Sequence, residues 1–265
     1  MCVIAGPCVL ESLELGLEVG QTIKALCGKL GLAYVFKASY DKANRSSIRS
    51  PRGPGLEQGL AWLTQIRSRL EVPVTTDIHE PDQAEPVARA VDLLQIPAFL
   101  CRQTDLLCAA GEAASKHGRA VNVKKGQFMS PGEMGGAVRK LAEAGCTNVM
   151  LTERGTFFGY GRLVNDFLGL GDLMDLKAEG GSPPVCFDCT HSTQLPGAGE
   201  QTGGRPERAP LLARAATAAG VNALFIECHP DPKKAMSDSS TMLRLDGMGE
   251  LLGSVAAISR AARTG

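Results

Sequence analysis

The sequence lacks the features that mark several broad classes of protein. Lys and Arg together number 28, as do Asp and Glu, so there is no basic excess of the kind that nucleic-acid-binding domains carry. No run reaches the roughly 18 uninterrupted apolar residues that a membrane span needs. The opening stretch, MCVIAGPCVLES, has neither the basic start nor the long apolar run of a secretory signal. We therefore expect a folded, cytoplasmic protein that binds neither nucleic acid nor membrane.

The cysteine pattern shows no disulfide framework either. There are nine cysteines, an odd number without regular spacing, which argues against extracellular disulfide cross-linking. Cys186 and Cys189 have CxxC spacing, but no second CxxC completes a zinc site. In a strand, residues three apart point to opposite faces, so we interpret this pair as structural.

The pattern of β-rich and helical segments predicts an α/β fold. Each β-rich run is followed by a segment with helical periodicity, which gives eight strands alternating with eight helices, and several of these segments end at glycine, as helices often do. An open doubly wound sheet is the alternative, but it normally carries a glycine-rich nucleotide-binding turn, which is absent here. We predict a single-domain (β/α)8 TIM barrel over residues 1–265. The predicted strands are 2–5, 33–38, 73–76, 91–96, 120–123, 148–151, 185–187 and 223–226.

Reactive residues follow the predicted strands, at the end of the barrel where active sites of this fold lie. Lys37, Lys124 and Arg154 stand at strand ends, which favours an anion-binding role over a solvated loop. The loop after strand two adds a further group of cations. For Arg49 and Arg52 in that loop, anion binding and simple solvation are equally good interpretations.

A metal site is the second expectation. Cys8, His191, Glu227 and Asp238 follow strands one, seven and eight, which barrel closure makes neighbours. A thiolate, an imidazole and two carboxylates suit Zn²⁺, Fe²⁺ or Mn²⁺ better than Ca²⁺. Each residue also has a simpler explanation: Cys8 as a buried thiol, and Asp238 as a turn cap. His229 is an alternative to His191, although the following Pro230 indicates that the chain turns away there.

Eight segments together resemble one enzyme family. They are AGPCVLES, FKASYDKANRSS, TTDIHEP, LLQIPAFLCRQTDLL, VNVKKGQF, LTERGTFFGY, FDCTHS and FIECHPDPKKAMSD. In this order they are similar to the 3-deoxy-D-manno-octulosonate 8-phosphate synthases, also called 2-dehydro-3-deoxyphosphooctonate aldolases. The resemblance implies a (β/α)8 barrel, usually a homotetramer, that condenses phosphoenolpyruvate with D-arabinose 5-phosphate and releases phosphate. The product is a precursor of bacterial lipopolysaccharide.

The resemblance also implies roles for individual residues. Cys8 stands where the metal-independent enzymes have Asn, which places the chain in the metal-dependent branch, with His191, Glu227 and Asp238 as the other ligands. For catalysis it suggests Lys124 as a proton donor, His191 near the reacting groups, and Asp238 or a metal-bound water as a base. The implied phosphoenolpyruvate pocket comprises Lys37, Ser39, Lys42, Lys124, Gln127 and Arg154. The implied aldose phosphate site comprises Asn44, Arg45, Ser46, Ser47 and Asp77, with Phe99 at its wall.

Two rival functions remain at the level of sequence. The related heptulosonate 7-phosphate synthases share the barrel, phosphoenolpyruvate and the metal, but take erythrose 4-phosphate. KANRSS favours the five-carbon aldose, since those enzymes typically carry a KPRTS-like stretch instead. The other rival is a non-catalytic barrel that binds a metal and a phosphosugar.

Overall fold

A computed structural model describes residues 1–44, 51–196 and 203–263. Within these ranges, eight parallel strands follow one another around a closed barrel, which confirms the predicted fold class. The barrel strands are β1 (Cys2–Gly6), β2 (Ala33–Lys37), β3 (Val74–Asp77), β4 (Leu93–Ile96), β5 (Ala120–Lys124), β6 (Val149–Glu153), β7 (Val185–Asp188) and β8 (Ala223–His229).

The helices alternate with these strands. Ser12 caps the first helix by accepting a hydrogen bond from the Leu15 amide, and Gly31 ends it in the left-handed conformation. A helix follows each of the eight barrel strands, as the alternating pattern predicts. The helices are α1 (Leu13–Leu30), α2 (Leu56–Leu70), α3 (Ala84–Ala90), α4 (Thr104–His117), α5 (Gly135–Glu143), α6 (Phe167–Met174), α7 (Ala209–Ala219) and α8 (Met248–Arg263).

Ring closure depends on the pairing of the first and last barrel strands. β1 pairs in parallel with β8 from Cys2 opposite Ala223 to Gly6 opposite Glu227. β8 pairs on its other side with β7. An open doubly wound sheet is therefore excluded, and the ends of β1, β7 and β8 are neighbours.

The eighth strand is longer than its sequence indicates. We predicted that it ends at residue 226, but it continues to His229. Its last residues pair with a short strand, Leu243–Arg244, which supplies partners for the extra backbone groups. Glu227 accordingly lies within the strand rather than in the loop after it, and this gives its carboxylate a rigid support.

The described residues form three buried apolar clusters, the smallest of which contains Cys8, Val9 and Met242, and the barrel wall separates the other two. One lies between strands and helices, and the other fills the barrel floor around Ile4, Leu93 and Phe225. Cys186 belongs to the inner part and Cys189 to the outer part, so the CxxC pair points to opposite faces as predicted. No helix in the described ranges has the length and apolar character to cross a membrane.

Candidate active site

Three potential metal ligands meet at the mouth of the barrel. The ligand atoms of Cys8, Glu227 and Asp238 all lie within 4.8 Å of one another. The Cys8 Sγ donates a hydrogen bond of 2.8 Å to Asp238 Oδ2. Asp238 has a φ of 51°, a left-handed conformation that is uncommon outside glycine and often found at functional sites.

Gly6 allows the chain to enter this cluster from β1. A Cβ at this position would lie 1.9 Å from the backbone oxygen of Lys37, so only glycine fits. The close approach brings the Cys8 loop against the end of β2. There the Lys37 Nζ donates a hydrogen bond of 3.1 Å to the Cys8 carbonyl oxygen.

The electrostatics of the cluster fit a cation. Burial, followed by the Asp238 and Glu227 charges, raises the pKa of the Cys8 thiol well above its ordinary value. A buried thiol next to two carboxylates becomes a thiolate ligand only if a positive charge joins it. Within the described part of the chain, the buried Glu227 Oε2 has no hydrogen-bond partner. Thiol, carboxylates and an unpartnered oxygen together suit a divalent ion.

His191 lies beside this cluster rather than inside it. Its Nε2 is 3.5 Å from Glu227 Oε2, and its Nδ1 is 2.8 Å from Asp188 Oδ2. A histidine whose Nδ1–H is held by a carboxylate presents Nε2 as a metal ligand. The structure thus places His191 where its free nitrogen faces the Glu227 side of the candidate metal centre.

Asp188 is a site residue that we did not select from the sequence. It is fully buried, and its Oδ2 accepts hydrogen bonds from both Lys124 Nζ, at 2.7 Å, and His191 Nδ1. Burial opposes its ionisation, but the nearby His191 and Lys124 lower its pKa below the ordinary value. The signal was present in the motif FDCTHS, because Asp188 ends a strand as Lys37 and Lys124 do.

The strand-end lysines contact carboxylates in the mouth. Lys37 forms an ion pair with Glu227, and Lys124 forms one with Asp188. The Lys124 Nζ also lies 3.4 Å from the centre of the Phe225 ring. Lys42 stands further out, 4.0 Å from Glu227. These cations reduce the charge of the acidic cluster and face the same opening.

Arg154 and Gln127 have buried atoms available to a ligand. Arg154 Nη2 donates a hydrogen bond of 2.6 Å to Gln194 Oε1. Its Nη1 and the Gln127 Oε1 are buried without a hydrogen-bond partner among the residues that the structure describes. Unpaired buried polar groups are costly, so these atoms indicate a site for a polar ligand.

Behind these cations lies a buried ion pair that the sequence analysis also missed. Lys125 Nζ is 3.6 Å from Glu153 Oε2, and both side chains are almost fully buried. Glu153 Oε1 accepts hydrogen bonds from the backbone amides of Arg154 and Gly155. Lys125 directly follows Lys124, so the pair joins the ends of β5 and β6 next to the residues that face the mouth.

The expected aldose side is described in part. Ser39 donates a hydrogen bond to Asp77, which is buried at the end of β3. Asn44 is exposed on the loop after β2. Phe99 is half exposed and stacks on Phe157 with ring centres 6.5 Å apart. Arg45, Ser46 and Ser47 lie outside the described residues, as does Arg49.

Two open alternatives are also resolved by the contacts. Arg52 forms an ion pair with Asp41 and is 62% exposed, in agreement with the solvated interpretation. His229 Nδ1 accepts a hydrogen bond of 2.9 Å from the Asp231 amide, and its Nε2 faces Glu11 at 3.7 Å. His229 is therefore engaged away from the three-ligand cluster.

The fold and the site together define a class of protein: a (β/α)8 barrel whose mouth combines buried cations with a candidate metal centre. The chain belongs to the DAHP synthetase I family, whose model matches residues 1–261.

Several similar proteins carry one name. A 2-dehydro-3-deoxyphosphooctonate aldolase of Desulfotalea psychrophila is 53% identical over 95% of this chain and 87% of its own length. The protein of that name from Nitratidesulfovibrio vulgaris is 50% identical over 97% of this chain and 91% of its own length. That of Granulibacter bethesdensis is 53% identical, with 94% and 86% covered. The family indicated by the sequence motifs is thereby confirmed.

Proposed function

We propose that this protein condenses phosphoenolpyruvate with D-arabinose 5-phosphate and water. The products are 3-deoxy-D-manno-octulosonate 8-phosphate, which leads to lipopolysaccharide, and inorganic phosphate. The observation that carries the proposal is the placement of Lys124 within hydrogen-bond distance of the Asp188–His191 pair, beside the Cys8, Glu227 and Asp238 cluster. The names of the relatives support the same reaction.

In the first step, C3 of phosphoenolpyruvate attacks the aldehyde carbon of the sugar phosphate. Two highly charged substrates must lie side by side, so positioning and charge neutralisation supply much of the rate enhancement. Arg154 and Gln127 offer buried unpartnered atoms to the phosphoenolpyruvate phosphate and carboxylate. Lys124 donates a proton to the aldehyde oxygen as the carbon–carbon bond forms, while Asp188 holds its Nζ in place.

In the second step, water adds at C2 and phosphate leaves with cleavage of the C2–O bond. We assign Asp238 as the base that takes a proton from that water, because it lies at the mouth and its lowered pKa keeps the carboxylate ionised. Burial opposes ionisation, but the neighbouring Lys42 and, after it, His191 lower the pKa of the Asp238 carboxyl. His191, held through Nδ1 by Asp188, keeps its Nε2 directed to the same space.

We assign the candidate metal centre to Cys8, His191, Glu227 and Asp238. The buried thiol, two carboxylates and oriented imidazole fit Zn²⁺, Fe²⁺ or Mn²⁺. A divalent ion held there supplies Lewis-acid chemistry, either polarising the aldehyde oxygen or acidifying a water.

One assay tests the reaction and its rivals. Phosphate release is measured with phosphoenolpyruvate and either arabinose 5-phosphate or erythrose 4-phosphate, before and after a chelator removes metal and each ion is restored. We expect release with the five-carbon aldose, lost on chelation and regained with metal. Release with erythrose 4-phosphate alone would identify a heptulosonate synthase. Saturable phosphoenolpyruvate binding without release would identify a non-catalytic barrel.

We also propose that the protein is a homotetramer and that it is cytoplasmic. Phe158 and Tyr160 are 93% and 100% exposed on the loop after β6, and Leu168 nearby is 85% exposed. Exposed aromatic and apolar side chains grouped in this way are typical of subunit contacts. Light scattering of the purified protein checks the assembly, and a monomer mass would contradict it.

A further inference from the structure

A series of buried side-chain hydrogen bonds runs along four neighbouring barrel strands, from β6 through β5 and β4 to β3. Thr152 Oγ1 donates to Asn122 Oδ1 at 2.7 Å, and Asn122 Nδ2 donates to Gln95 Oε1 at 3.1 Å. Gln95 Nε2 then donates to Asp77 Oδ1. The three inner members, Thr152, Asn122 and Gln95, are at most 1% exposed, so Asn122 and Thr152 have no access to a substrate.

Every donor in this series points towards Asp77. An ionised carboxylate only accepts hydrogen bonds, so it fixes the Gln95 amide with its nitrogen towards β3. Gln95 then offers only oxygen to β5, which fixes Asn122, and Asn122 in turn takes the Thr152 proton. Ser39 donates to the other Asp77 oxygen, Oδ2, so both oxygens are held.

We propose that Asn122 and Thr152 are positioning residues, which act through Gln95 to hold the Asp77 carboxylate as an acceptor for the hydroxyl groups of the aldose. This inference rests on the proposed function. Of the two substrates, only the aldose has hydroxyls to donate, and a carboxylate repels the anionic phosphoenolpyruvate. Asp77 is buried apart from 8% of its surface, and it ends β3 at the barrel mouth.

Asn122→Asp reverses the direction of these hydrogen bonds while the size and shape of the side chain stay nearly the same. The new carboxylate accepts only, so Gln95 must turn its amide nitrogen towards β5 and present its oxygen to Asp77. We expect the KM for arabinose 5-phosphate to rise about tenfold, in line with the loss of one hydrogen bond to a charged group. The KM for phosphoenolpyruvate should stay unchanged, because Lys124 and Arg154 keep their contacts.

Two further variants make the assay decisive. Thr152→Val removes the first donor isosterically and should raise the aldose KM in the same direction, by less. Thr75→Val is the matched control, because the Thr75 hydroxyl is buried on the Asp77 face of β3 with no hydrogen-bond partner among the described residues. Equal changes in both KM values, or no change in folded Asn122→Asp and Thr152→Val proteins, would overturn the inference.

A stability measurement separates this inference from the proposed reaction, since it uses no substrate. Adding Asp77→Asn to Asn122→Asp gives Gln95 a donor to accept from, so the double variant should unfold at a higher temperature than Asn122→Asp alone. Asp77 and Asn122 lie two strands apart, and sites so separated act additively unless they share a partner, which here would be Gln95. If the two substitutions changed the unfolding temperature additively, the donors in this series of hydrogen bonds would have no fixed direction. That result would overturn the inference whether or not the enzyme releases phosphate.

Discussion

Asp188 and His191 are joined twice, since the Asp188 carboxylate accepts hydrogen bonds of 2.8 Å from both the His191 ring Nδ1 and the His191 backbone amide. The same carboxylate also holds Lys124. One buried group therefore orients a candidate metal ligand and a candidate proton donor together.

Asp188→Asn tests this shared role. The asparagine side chain carries an NH2 donor, whereas Lys124 Nζ and His191 Nδ1 both need an acceptor at this position. Either Lys124 or His191 therefore loses its partner. We expect a loss of about 10- to 100-fold in activity or metal affinity, as found when the outer partners of metal ligands are removed. Phosphate release measures the activity, and the metal content after dialysis reports the metal affinity.

Asp92→Asn is the matched control for that variant. Asp92 contacts Arg67 and Arg119 and lies just before β4, away from the mouth. It should lower stability and leave the turnover of the folded protein unchanged. An equal loss of turnover in both variants would contradict the role assigned to Asp188.

Cys8→Ala tests the metal centre. Loss of the thiol removes one of three converging ligands, so metal content and activity should fall by more than the about 10- to 100-fold expected for an outer partner. Cys189→Ala removes a thiol that is buried in the outer core directly after β7, so this variant should retain both. A Cys8→Ala protein that kept full activity after chelator treatment would exclude the metal from the mechanism.

Lys125→Met tests the buried ion pair behind the mouth. Removal of the lysine leaves Glu153 buried without its cation, and burial already raises the pKa of that carboxyl. We expect a loss of about 3–5 kcal/mol in the free energy of unfolding. Denaturant titration measures it. Lys116→Met, in an exposed pair with Glu85, should cost about 0–1 kcal/mol, and equal losses would contradict the buried pair's importance.

We expect the stability of the folded protein at low pH to depend on Asp77. Burial opposes its ionisation, yet Lys37 and Lys42 lower its pKa below the ordinary value of 3.8. Above that value the carboxylate is ionised whether the chain is folded or unfolded, and its stabilisation is complete. As the pH falls below it, the unfolded chain binds the proton first, so stability is lost.

The measurement is the denaturant midpoint of wild type and Asp77→Asn over a pH series from about 3 to 6. The variant should lose less stability than wild type towards low pH. Parallel curves would show that other groups set the acid sensitivity.

The sequence alone predicted most of the fold because its signals are local. Apolar periodicity and glycine caps marked the eight alternating helices, and β-rich runs marked the eight strands. The extension of β8 to His229 was missed because its partner strand, Leu243–Arg244, comes later in the chain.

For the candidate site, the sequence identified residues that stand at strand ends and belong to a recognisable family. Those properties led to Cys8, Lys124 and Asp238 before any distance was known. Whether the three-ligand cluster closes depended on the β1–β8 pairing, which joins opposite ends of the chain. That Asp188 serves two partners depended on the approach of β5 to the end of β7. The direction of the Gln95 amide likewise follows from the Asp77 charge on the next strand, and that of the Asn122 amide follows from Gln95. Such relations are long-range, so only the tertiary structure could decide them.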